Sequence, residues 1–251
     1  MKIHPLFLFT GLGMIVLAII FVISAHNNGA ALYAIFLGVL AWVISVGLKF
    51  AWALPTNKRI IKFFEKRLPS VLSGPVAWGY LGILTGVFEC GIALLFVLNV
   101  PLLKQADWNT AIGFGVGFGA MEAFILGMLS FVHVSYYQIH PVSAKENKQW
   151  RIFIKYKFTA VSTAIVERAS TIFVHTFTKV LIVIAVQNNM YLFFWFSFVF
   201  KSLVDAIAAW AVLKKNIQNW TKPSQIWRIE FIFIIFGILS IFGLVAIKNM
   251  L

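Results

Sequence analysis

Apolar residues in this chain are gathered into long continuous runs divided by short polar connectors. The runs cover about 5–25, 30–54, 75–98, 109–136, 158–186, 190–213 and 225–247. Each approaches or exceeds the roughly 20 residues an α-helix needs to cross about 30 Å of hydrocarbon. Only helices and closed barrels satisfy every backbone group in lipid, and a barrel would show short alternating strands instead of unbroken runs. The pattern predicts an all-α fold: a polytopic bundle of seven transmembrane helices forming one integral membrane domain over 1–251. The first run is too long for a secretory leader and lacks a small-x-small cleavage site, so it is read as the first span.

The connectors alternate in character. His26-Asn27-Asn28-Gly29 and Gln187-Asn188-Asn189 are tight and uncharged, and 99–108 carries only Lys104 and Asp107. The other set is basic: Lys58 to Arg67, Lys145 to Lys157, and Lys214 to Arg228, with Lys2 and Lys49 counted on the same side. Only Lys104 and Lys248 fall opposite. By the positive-inside rule this predicts an N-in, C-out orientation in the cytoplasmic (inner) membrane of a bacterium. Two basic stretches, Asn57 to Leu68 and Trp150 to Phe158, interleave apolar and basic residues and are expected as amphipathic interfacial helices on anionic lipid.

Composition agrees. Of the 251 residues, 61% are hydrophobic and only 12% charged, more apolar surface than a soluble domain of this size can hide. The net charge of +13 is explained by the loop asymmetry, so membrane lipids, and not nucleic acid, are the expected partners. The single cysteine, Cys90, excludes an internal disulfide.

Some charges lie inside the runs. Arg168, Lys179 and Lys201 face Glu89, Glu122, Glu167 and Asp205, with His175 among them. A charge at the bilayer centre costs about 3 kcal/mol or more, so such groups turn inward and pair. Arg168, His175 and Lys179 share one helical face, Glu167 points about 100° away toward a different neighbour, and Lys201 and Asp205 are placed to pair directly. The cluster reads either as structural ion pairs or as an active site or conduction path. Gly113, Gly115, Gly117 and Gly119 form two Gly-xxx-Gly pairs expected to pack helices closely. His133 and His140 have no third ligand nearby, and no metal or cofactor is expected.

The order Gly86-Val87-Phe88-Glu89, Gly117-Phe118-Gly119-Ala120-Met121-Glu122, Glu167-Arg168 with His175, and Lys201-Ser202-Leu203-Val204-Asp205 resembles the YhfC family of intramembrane peptidases. That family is related to the CAAX prenyl proteases and the bacteriocin-immunity membrane proteins. The resemblance spans roughly 75–212. It implies that a Glu of an EExxR-like motif and a His on a later helix activate water, while a second His and a downstream Asn or Asp bind the oxyanion. It makes Glu89, Glu122, Glu167, Arg168, His175, Lys201 and Asp205 the candidate catalytic or vestigial residues.

The departures fall on the chemistry. Cys90 stands where a second Glu is expected, and Ala93 or Leu94 where the Arg would be. Phe118 takes the place of the water-activating His in GxGHGxxE, and Lys201 that of the His in HxxxD. Phe can neither accept a proton nor bind a metal, and an ammonium cannot shuttle a proton as imidazole does. The expectation is an impaired protease-like protein that binds a membrane peptide, a lipid or another integral membrane protein. The alternatives are an active endopeptidase using Glu89 or Glu122 with His175, and a small transporter or accessory subunit of a membrane complex.

Overall fold

The computed structural model describes residues 8–140, 142, 157–214 and 223–250. The helices are α1 (Leu8–Asn27), α2 (Leu32–Arg67), α3 (Ser70–Thr85), a π-helical turn (Gly86–Cys90), α4 (Gly91–Asn99), the short α5 (Pro101–Lys104), α6 (Trp108–Ile139), α7 (Lys157–Gln187), α8 (Leu192–Lys214) and α9 (Pro223–Lys248). Among the described residues, seven segments are long and apolar enough to cross a membrane, with α3, the π turn and α4 together forming the third. The all-α bundle read from the hydropathy runs is the observed architecture.

The ends of the helices follow local chemistry. Leu68 is extended, as a residue before proline must be, and separates α2 from α3. Gly29 adopts a φ of 94° and Asn189 a φ of 54° at the two tight turns, the left-handed geometry that closes a helix. Asp107 caps α6 by accepting the Thr110 N–H at 2.8 Å. Hydrogen bonds from the Thr110 hydroxyl and backbone N–H hold its carboxyl below the usual range.

The stretch Asn57 to Leu68 is not a separate interfacial helix. It continues α2 through Pro55 without a break. The stretch Trp150 to Phe158 lies, up to residue 156, outside the described residues.

Helix α7 is the axis of the bundle. Over its most apolar 18 residues 89% are buried, against 22–56% in the corresponding stretches of the other six. It packs against α1, α4, α6, α8 and α9. Four of the five glycines of α6, Gly113, Gly115, Gly117 and Gly119, divide their work between two neighbours. A Cβ on Gly115 would lie 2.6 Å from the Thr176 Cα of α7, and one on Gly117 would collide with the Ile35 backbone of α2. Hydrogen at these positions lets three backbones meet, the packing that small residues permit in lipid.

Candidate functional site

Five elements deliver charged or polar side chains to one place beside α7. The π turn is the local cause for Glu89. Its extra residue leaves both Glu89 and Cys90 buried while Val87 faces outward, and π turns of this kind are frequent at functional sites. Gly86, at its start, sits where a Cβ would strike the Ser202 hydroxyl of α8, so the turn is pressed against α8.

Glu89 is 1% exposed. Its Oε1 accepts from the Lys49 ammonium at 2.8 Å, and its Oε2 lies 3.2 Å from Lys201 Nζ. Lys201 also pairs with Asp205, one turn along α8, at 2.5 Å. His175, 1% exposed, sits between the two central carboxylates. Its Nε2 is 2.8 Å from Glu122 Oε2 and its Nδ1 is 3.8 Å from Glu89 Oε2.

Glu122 is held more closely. Arg168 donates to its Oε1 at 2.5 Å, and the Trp42 indole N–H donates to its Oε2 at 3.3 Å. Arg168 also pairs with Glu167. The result is one connected set of charges running from Asp205 through Lys201, Glu89, His175, Glu122 and Arg168 to Glu167. All seven residues singled out in the sequence belong to it.

The long Arg168 side chain reaches back to Glu167, its own chain neighbour, as well as across to Glu122. Two expectations need revision. Lys49, counted among the orientation-setting basic residues, instead enters the cluster. Its position inside the second apolar run was the available signal. Glu230 of α9 is a further buried acid, 7% exposed and with no hydrogen-bond partner on its Oε2. It too lies within a predicted span.

Phe118 and Lys179 complete the setting. The Phe118 ring is fully buried and lies 5.1 Å from the His175 ring. The Lys179 ammonium sits over the same ring, 4.1 Å from its centroid, and has no hydrogen-bond partner. A cation–π contact thus takes the place of an ion pair. A pocket of about 550 Å³ is lined by Ile20, Phe21, Trp108, Ile112, Phe173 and Leu244 among others. None of the charged residues of the cluster lines it.

The YhfC intramembrane metalloprotease family model matches residues 13–232. No curated protein and no solved structure matches the chain. The family's description implies a metal ion. Glu89, Glu122 and His175 each offer one ligand atom, and these atoms lie within 4.8 Å of one another, a carboxylate and imidazole set of the kind zinc takes.

The carboxylate oxygens are already engaged. Lysines hold both oxygens of Glu89, and Arg168 and His175 hold Glu122. By formal charge, the cations of Lys49, Arg168, Lys179 and Lys201 already balance the carboxylates of Glu89, Glu122, Glu167 and Asp205. A dication bound to Glu89 Oε2 would have to share that oxygen with the Lys201 ammonium 3.2 Å away, and cations a few Å apart repel by several kcal/mol even at an effective dielectric constant of about 20. The residues present do not fit a divalent metal while Lys201 stands beside Glu89.

Proposed function

Because the chain belongs to the YhfC intramembrane metalloprotease family, we propose that it is a multi-pass member with impaired peptidase chemistry, which acts by holding a membrane-embedded peptide segment. The observation that carries this reading is the treatment of Glu89. A general base must be free to take a proton near the substrate, and here lysines stand at 2.8 and 3.2 Å on its two oxygens. Phe118 supports it from the other side, setting a fully buried phenyl against His175 where the family pattern puts a proton-handling imidazole.

Binding would use the surfaces that remain. The apolar groove walled by Phe21, Ile112 and Phe173 offers room for a hydrophobic segment, and aromatic and aliphatic walls of this type are usual in such sites. A lipid or another integral membrane protein would compete for the same surface. The reading includes the N-in, C-out orientation in a bacterial cytoplasmic membrane, supported by the basic connectors.

The test is proteolysis in liposomes. The purified protein is expected to leave a panel of fluorogenic transmembrane peptides intact while photo-crosslinking to them from a probe at Ile112. Cleavage that disappears in Glu89→Gln would overturn the reading. One feature favours the alternative of an active endopeptidase: His175 bridges two carboxylates, as a base and its orienting partner do. In that case His175→Ala would remove cleavage while leaving the thermal transition in place.

A further inference from the structure

We infer that the Lys201 ammonium is the resident cation of the cluster, standing at the Glu89–His175 position that a divalent metal would otherwise take, so that the wild-type chain carries no metal and shortening Lys201 opens a zinc site. The inference rests on the family reading above and specifies what replaced the metal.

The geometry is that of a ligand pair with its cation displaced. Glu89 Oε2 and His175 Nδ1 are buried and have no hydrogen-bond partner. They lie 3.8 Å apart, close to the roughly 3.3–3.6 Å edge of a tetrahedron with metal–ligand bonds of about 2.0–2.2 Å. Glu122, with an oxygen 2.8 Å from the other nitrogen of the same ring, would orient the imidazole as the outer partner of a ligating histidine does, leaving water to complete the coordination.

What faces this pair is Lys201. Its Nζ is 3.2 Å from Glu89 Oε2, and it is steered there by Asp205 at 2.5 Å. A lysine is a compact point charge on a flexible stem, so it neutralises a buried carboxylate without the directional bonds a metal would form. That explains why both Oε2 and Nδ1 remain without hydrogen bonds although the charges balance. With Lys201 removed, Lys49, Arg168 and Lys179 leave the carboxylates of Glu89, Glu122, Glu167 and Asp205 one positive charge short, which is the electrostatic opening for Zn²⁺.

The experiment is metal analysis of the full chain in detergent, after chelator treatment and dialysis against zinc chloride, with thermal unfolding measured with and without zinc. Wild type is expected to retain no stoichiometric zinc and to show no zinc-dependent change in Tm. Lys201→Ala is expected to take up about one zinc per chain and to gain several degrees in Tm on zinc addition. Lys201→Arg should stay zinc-free, and Lys201→Ala combined with Glu89→Gln should lose the uptake.

One zinc per wild-type chain that is lost in Glu89→Gln would overturn the inference. So would a folded Lys201→Ala protein that binds none. Should Lys201→Ala not accumulate, Lys201→Ser keeps a hydrogen-bonding group without adding a strong zinc ligand and serves in its place with the same two outcomes. Peptide cleavage by a zinc-free wild-type protein would defeat the impaired-protease reading and leave this inference standing.

Discussion

Glu89 and Glu122 stand on either side of His175, both in membrane-spanning segments, and they are stabilised in different ways. Glu122 receives a guanidinium at 2.5 Å, an imidazole nitrogen at 2.8 Å and an indole N–H at 3.3 Å. Every one of those partners is planar and directional. Glu89 receives two lysines, one of them shared with Asp205, and one of its oxygens has no formed hydrogen bond. Arginine is always charged and presents a rigid fork, whereas lysine is a strongly hydrated point charge on a mobile stem. The Glu122 half therefore works as a structural clamp between α2, α6 and α7, and the Glu89 half as a charge-balanced but yielding site.

The largest effect that would break this contrast is expected from Arg168. Its removal leaves Glu122 and Glu167 without their shared cation, and breaking a buried pair in this way costs about 3–5 kcal/mol. Arg168→Ala is expected not to accumulate in membranes, measured as folded protein by size-exclusion profile, while Arg168→Lys recovers part of the yield. An Arg168→Ala protein with an unchanged melting curve would show that Glu122 is no clamp.

Next in size is the difference between the two carboxamide variants. Glu122→Gln weakens three directional contacts, and Glu89→Gln leaves lysines with other outlets: Lys201 keeps Asp205, and the Lys49 side chain is 22% exposed and can swing toward the helix end. Glu122→Gln is expected to lower stability by about 2–3 kcal/mol and Glu89→Gln by about half as much. Thermal unfolding of both in one detergent checks the order, and the reverse order would exchange the roles assigned to the two halves.

The smallest effect belongs to Lys49→Met. A partly exposed lysine with an apolar replacement of similar length is expected to cost at most about 1 kcal/mol. A double-mutant cycle with Glu89→Gln isolates the pair, and a coupling well above 1 kcal/mol would mean that Lys49 holds Glu89 as firmly as Arg168 holds Glu122.

The number of spans, the two uncharged turns and the identity of the buried charges were legible in the chain, because crossing 30 Å of hydrocarbon is a requirement on local composition. Each candidate residue stands out for a local reason: a charge inside an apolar run is costly wherever its helix packs. Lys49 and Glu230 obeyed the same rule. Lys49 was set aside because a lysine near the end of a run serves orientation as well as it serves a site, and Glu230 had no motif to draw attention to it.

What the chain could not specify alone was who meets whom. Glu167 lies beside Arg168 in the chain, and helical geometry alone points it to another neighbour. Its pairing depends on how far Arg168 must reach toward Glu122 on α6. The π turn that buries Glu89 arises where α3 is pressed on α8 at Gly86 and Ser202. Sequence by itself determined a seven-helix membrane protein with charges that must be paired. Tertiary structure alone decided that lysines neutralise Glu89 and a guanidinium neutralises Glu122, since pairing depends on interhelical distances that no single helix contains.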